Sequence, residues 1–131
     1  MMLFDIDVCV ELLRGNNTVI ERRQQTADRI AVSFMTAAEL YFGAYKSGNL
    51  TENRDVVEKF LNTVEIHQST LRIADKFGEI KESLQKSGQS LADADIFIAA
   101  TALCNNEILV TGNVQHYQRI DGLRIENWLK V

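Results

Sequence analysis

Asp5, Glu39, Asp95 and Asn113 lie far apart in this 131-residue chain, yet each borders an apolar stretch where a polar group needs a reason to be. Asp5 stands among Leu3, Phe4, Ile6 and Val8, so its carboxylate is expected to be partly withdrawn from water and in need of a partner or a metal. Asp95 directly precedes Ile96-Phe97-Ile98-Ala99-Ala100, a run so apolar that its helix must be buried. Carboxylates that share a pocket repel one another, and at neutral pH they require protons or cations. Oxygen donors with no histidine or thiolate beside them select Mg²⁺ or Mn²⁺. Such ions activate water and stabilise the leaving oxygen in phosphodiester hydrolysis. A convergence of these acids therefore points to a metal-dependent nuclease or phosphatase.

Each residue also has a purely structural reading. Asp5 could bond loop N–H groups at a strand end, a reading of equal weight when the residue is taken alone. Asp7 suits the N-cap of a short helix. Glu39 stands three residues after Thr36, the spacing of a capping box, where it would serve only to cap. Asp93 and Asp95 both suit a helix N-terminus, where acids meet the positive end of the dipole. Asn113, in Thr111-Gly112-Asn113, could simply make a turn. Only convergence separates chemistry from capping.

The elements that would bring about that convergence are short. Met2 to Asp5 predicts a buried strand, Val8 to Arg14 a helix stopped by Gly15-Asn16-Asn17, and Thr18 to Arg29 a second helix capped by Thr18. Ile30 to Phe34 predicts a strand, Thr36 to Lys46 a helix opened by the capping box, and Glu52 to Leu61 another helix. Thr63 to His67 is the third strand. Leu71, Ala74, Phe77, Ile80 and Leu84 form the apolar stripe of a long helix from Thr70 to Lys86. Leu91 to Ala102 is the next helix, Ile108 to Thr111 a buried strand and Leu123 to Glu126 the last edge strand. Alternating strands and helices imply parallel βαβ units, hence an α/β fold with a sheet covered on both faces. Ligands in such sheets bind beyond the carboxyl ends of the strands, which is where Asp5, Glu39, Asp95 and Asn113 are expected to meet.

Composition narrows the classes further. With 46% hydrophobic residues and a net charge of −4, the chain is neither disordered nor a simple polybasic nucleic-acid binder. Its length suits one domain over residues 1–131. No apolar run approaches the ~18 residues of a membrane span, and Met-Met-Leu-Phe-Asp lacks a basic leader, so a cytosolic protein is expected. Cys9 and Cys104 are isolated, which excludes a disulfide framework or zinc ribbon. His67 and His116 read as surface or hydrogen-bonding histidines, His116 being near enough to Asn113 in sequence to touch a substrate. Tyr41, Phe42 and Tyr45 read as core or subunit contact, and Trp128 as a dock for the C-terminus. Arg14, Arg22, Arg23 and Lys46 are the cations available to a rim. No Walker loop, Gly-x-Ser-x-Gly elbow or dinucleotide fingerprint is present.

Taken in order, the motifs resemble those of the PIN-domain family, specifically the VapC-type toxins of bacterial toxin–antitoxin pairs. Met2-Leu-Phe-Asp-Ile-Asp-Val8 is similar to the family's opening and Thr36-Ala-Ala-Glu-Leu-Tyr-Phe-Gly-Ala44 to its second motif. Phe77 to Gly88 resembles the helix before the third motif, Asp95-Ile-Phe-Ile-Ala-Ala100 the third, Leu109-Val-Thr-Gly-Asn113 the fourth, and Ile120 to Trp128 the tail. The resemblance implies a three-layer α/β/α fold with a short-stranded, mainly parallel sheet. It implies an endoribonuclease using Mg²⁺ or Mn²⁺, with Asp5, Glu39 and Asp95 holding the metal. Asn113 matches a fourth position and Thr111 the threonine that precedes it. Structured RNA, tRNA or ribosomal RNA, is the implied substrate. A homodimer and an antitoxin whose tail enters the acidic groove are the implied partners.

Ile6-Asp7 departs from the Thr-Asn that usually follows the family's first Asp. The change removes a hydroxyl that could orient Asp5 and adds a charge that either raises cation demand or supplements the fourth ligand. Asp93 is also extra, and either assists Asp95 or caps its helix. Two rival readings stand beside this one. Phe4-Asp5-Ile6-Asp7-Val8 resembles the Asp-x-Asp opening of haloacid-dehalogenase-type phosphatases, though no later Gly-Asp-x-x-x-Asp motif accompanies it. The other rival is a non-catalytic PIN scaffold kept for partner binding.

Overall fold

A computed structural model describes residues 1–130; Val131, the last residue of the domain expected over 1–131, lies outside the described residues. Five strands run parallel in the order β3-β2-β1-β4-β5: β1 Met2–Phe4, β2 Ile30–Ser33, β3 Glu65–His67, β4 Ile108–Val110 and β5 Ile125–Glu126. Successive side chains on a strand point to opposite faces, and every central strand here is apolar on both. Met2, Phe4, Ile30, Val32 and Val110 enter one core; Leu3, Ala31 and Leu109 enter the other.

Helices cover both faces. The first core is closed by α1 (Ile6–Leu13), α2 (Asn17–Gln25), α3 (Phe34–Lys46) and α4 (Leu50–Leu61) through Val8, Val19, Leu40 and Phe60. The second is closed by α5 (Leu71–Lys86), α6 (Asp93–Cys104) and the single turn α7 (Val114–Tyr117) through Ile73, Ile80, Ile98 and Tyr117. The result is the expected three-layer α/β/α sandwich, with the sheet wholly parallel. Trp128 docks the C-terminal segment as expected: its ring meets Phe4 edge-on at 5.1 Å and its indole N–H donates to Glu126 Oε1 at 2.7 Å. Among the described residues no helix is long and apolar enough to cross a membrane.

Several boundaries differ from expectation, and caps explain them. Asp5 ends β1 not as a strand residue but as the N-cap of α1, which begins at Ile6 instead of Val8. Asn16, not Thr18, caps α2, accepting from the N–H groups of Thr18 and Val19, and that helix stops at Gln25. The expected Thr36-x-x-Glu39 capping box does not form. Ser33 caps α3 by accepting from the Thr36 N–H at 3.0 Å, which puts Thr36 at the third helical position and Glu39 a turn further in. The α7 turn was not expected, since a single turn carries no periodicity to read.

These caps are measurable. Ser33→Ala removes the α3 cap and is expected to lower stability by about 1 kcal/mol, a fall of about 3–6 °C in the thermal melt followed by circular dichroism. Glu39→Ala, which unlike Gln could not serve in a capping box, is expected to leave the melt no lower, because Glu39 caps nothing. The opposite ranking would restore the capping-box reading.

Candidate active site

The register sets the site. Phe4 pairs with Val32 on one side and Val110 on the other, so Asp5, the last β2 residue Ser33 and Thr111 come level at one rim. Asp5 is 2% exposed. Its backbone N–H donates to the Val110 carbonyl at 3.0 Å, while Oδ1 accepts from the Ile6 N–H at 2.8 Å and Oδ2 from the Thr111 hydroxyl at 2.9 Å. The backbone at position 6 thus orients Asp5 whichever side chain stands there. Burial above all, then the charge of Asp7, pushes the Asp5 carboxyl up to about 6, against the hydrogen bonds from Ile6 and Thr111; Asp95 adds to the upward push.

Glu39 reaches the same rim from α3, and Oε1 is buried with no hydrogen-bond partner among the described residues. Burial first and the Asp95 charge second hold its carboxyl above the usual range. Asp95, half-buried in the first turn of α6, accepts at Oδ1 from the Tyr117 hydroxyl at 3.3 Å. Tyr117 is fully buried, and its hydroxyl is held in its protonated form by burial and by the charges of Asp5 and Asp95. Sequence reasoning missed this residue. The only signal was its place one turn past Asn113, where the neighbouring His116 drew attention instead; His116 is exposed.

The accessory candidates separate into distinct roles. Thr111 is buried and ties the rim together, since its hydroxyl donates to Asp5 and accepts from the Asn113 N–H at 3.0 Å. Asp7 is committed to backbone, with Oδ1 accepting from the Val8 N–H at 2.7 Å and Oδ2 from the Gly112 N–H at 2.9 Å. A Cβ at Gly112 would lie 2.6 Å from Leu129 Cδ1 and 3.1 Å from Asp7 Oδ2, so any side chain there would displace Leu129 and crowd this clamp. An Asp-x-Asp phosphatase would need Asp7 free as a general acid, which these bonds oppose. Asn113 is exposed at the rim and makes no side-chain cap. Asp93 turns outward to pair with Lys81 at 3.0 Å. Of the expected cations, Arg22 is held by Glu126 and the Asn127 carbonyl, and Arg23 by Thr63, so both serve the fold. Arg14 lies 3.7 Å from Glu11, and Lys46 stands over the Phe42 ring. Tyr41 packs against the first core, whereas Phe42 and Tyr45 are exposed. His67 bonds buried Glu107 at 2.8 Å, away from this rim.

The arrangement fits a hard divalent cation in its chemistry. The donors are all carboxylate oxygens, two of the acids are destabilised by burial and like charge, and one oxygen is both desolvated and unpartnered. Among the described residues no three such side chains stand close enough to clasp an ion as they are; the fit rests on donor chemistry and on the orphaned Glu39 Oε1.

Known proteins share this sequence and shape. The family described as PIN domain matches residues 2–123. Ribonuclease VapC2 of Haemophilus influenzae is 40% identical over 111 residues, covering 85% of this chain and 84% of that protein. The tRNA(fMet)-specific endonuclease VapC of Salmonella typhimurium is 31% identical over 127 residues, 96% of each. The crystal structure of VapBC2 from Rickettsia felis bound to a DNA fragment from their promoter superposes with a TM-score of 0.92 at 27% identity, over 97% of this chain and 98% of that one. With the match running through all four rim segments, the chain belongs to the PIN-domain family, among its VapC ribonucleases.

Proposed function

We propose that this chain is a toxin of a toxin–antitoxin pair, a Mg²⁺- or Mn²⁺-dependent endoribonuclease that cuts structured RNA in the cytoplasm as a single domain over residues 1–131. The observation that carries this reading is the Glu39 carboxylate, whose buried, unpartnered Oε1 shares a rim with Asp5 and Asp95. A desolvated acceptor of this kind costs stability unless something positive meets it. Asp5, Glu39 and Asp95 would hold the ion or ions, and Asp7 and Thr111 would support them from outside, while Asp93 is engaged by Lys81. When bound, the metal supplies a water activated at neutral pH and positive charge for the phosphodiester oxygens. Thr111 keeps Asp5 aimed at the rim, and Asn113 lies where an RNA backbone entering the site would pass. The name of the Salmonella relative favours tRNA over ribosomal RNA as substrate. The VapBC complexes among the solved relatives favour a cognate antitoxin. Phe42 and Tyr45, 66% and 60% exposed on α3, offer apolar surface that a homodimer or an antitoxin would cover.

Cleavage of total tRNA and of ribosomes by purified, antitoxin-free protein tests this directly. Discrete fragments are expected with Mn²⁺ or Mg²⁺ and none with EDTA. Asp5→Asn is expected to cut activity by more than the ~100-fold that losing an outer partner of a metal ligand costs. No metal-dependent cleavage of either RNA would favour the scaffold reading.

The Asp5 carboxyl makes a second prediction, for metal-free protein. Its folded value of about 6 lies above the ordinary 3.8, so the folded chain binds this proton more tightly than the unfolded chain does. The resulting stabilisation is complete below pH ~4 and lost as pH rises through ~6. Asp5→Asn keeps an N-cap and escapes this loss. Its stability relative to the native chain, followed by thermal melts, should therefore climb between pH 4 and 7, reaching on the order of 2–3 kcal/mol. A difference independent of pH would mean that the Asp5 charge is not strained.

A further inference from the structure

Reading the rim as a cation site leaves the Tyr117 hydroxyl without a task. Its ring is packed in the second core and is 0% exposed, a place a phenylalanine would fill as well. The hydroxyl is thus an additional polar atom whose desolvation has to be offset where it ends, and it ends among the acids. It donates to Asp95 Oδ1 at 3.3 Å and also faces Asp5. A phenol has one proton to give. Asp5 already receives the Ile6 N–H and the Thr111 hydroxyl. Among the described residues, the Asp95 carboxylate receives only the Tyr117 hydroxyl. The ring itself is fixed at both ends of its own turn, because the Tyr117 N–H donates to the Asn113 carbonyl at 3.4 Å and the Tyr117 carbonyl accepts from the Ile120 N–H at 3.0 Å.

We propose that Tyr117 is a positioning residue for the cation-binding acids, its hydroxyl fixing Asp95 Oδ1 so that the remaining carboxylate oxygen faces the ion. The proposal rests on the reading of Asp5, Glu39 and Asp95 as the cation site. It couples the short turn after β4 to α6: the residue that seals the second core also aims an acid from a different element. Outer partners that orient a ligand are commonly worth 10–100-fold in metal affinity, whereas a tyrosine that only fills the core would be replaced by phenylalanine without any change in affinity.

Calorimetric titration of Mn²⁺ into the metal-free, full-length chain separates these cases, using native protein, Tyr117→Phe and Asp5→Asn. Tyr117→Phe is expected to bind Mn²⁺ about tenfold more weakly and to need correspondingly more Mn²⁺ for half-maximal RNA cleavage, with cleavage restored by excess metal. The Mn²⁺-induced rise in melting temperature reports the same affinity even in a variant of reduced stability. Native affinity in Tyr117→Phe, with an unchanged metal-activation curve, would overturn the proposal and leave the cation site standing. A native chain that binds no Mn²⁺, or that binds it equally well after Asp5→Asn, would overturn the cation site and the proposal with it.

Discussion

A carboxylate that is 2% exposed, at the end of a strand apolar on both faces, is the constraint around which the rest of this structure is arranged. Asp5 is pinned from two directions, by the first N–H of α1 and by the Thr111 hydroxyl at the end of β4. Neither bond reverses the effect of burial, and its proton affinity remains well above that of an ordinary aspartate. The adjoining acids sharpen the conflict. Glu39 and Asp95 approach from helices that no local preference would bring together, and only the parallel register of β1, β2 and β4 puts their origins at one rim. Stability is spent on a charge cluster whose relief comes from a cation or a proton.

The two-core sandwich makes that expenditure tolerable. Strands of two to four residues leave little sheet, but every inner strand contributes to both cores, so helices on either face are held by the same few residues. The clamp of Asp7 on the Gly112 N–H then fixes the segment after β4 against the start of α1, with Leu129 packed so closely that a side chain at position 112 would have to push it aside. Thr111, Asn113 and Tyr117 all hang from that segment. The rigidity of the rim therefore derives from backbone bonds and packing, while Glu39 and Asp95 bond no backbone group with their carboxylates among the described residues.

Much of this was readable in the residues. The α/β class and the parallel sheet followed from strands alternating with helices, and acids placed at apolar borders marked Asp5, Glu39 and Asp95 as candidates for the strand-end rim. Glu39 shows where local reading stops. Ile30-Ala-Val-Ser-Phe34 has no period that says where strand gives way to helix, and Ser33 and Thr36 are both competent caps. Choosing Thr36 turned Glu39 into a cap; choosing Ser33, as the fold does, turns it into an orphaned acid. Asp93 and Asp95 have identical local claims on the α6 N-terminus. Lys81, twelve residues earlier on α5, draws Asp93 outward, and no pattern within α6 encodes that. Tyr117 was invisible for a related reason, since a one-turn helix has no periodicity and its meaning depends on α6 lying across from it.

Anomalous diffraction from crystals of the native chain soaked in Mn²⁺ addresses the central claim that the rim acids form a built cation site. The account predicts a manganese peak within coordinating reach of the Asp5, Glu39 and Asp95 carboxylates, absent from crystals of Asp5→Asn. Manganese bound only at outward acids such as Asp93, or persisting unchanged at the rim without the Asp5 carboxylate, would contradict it.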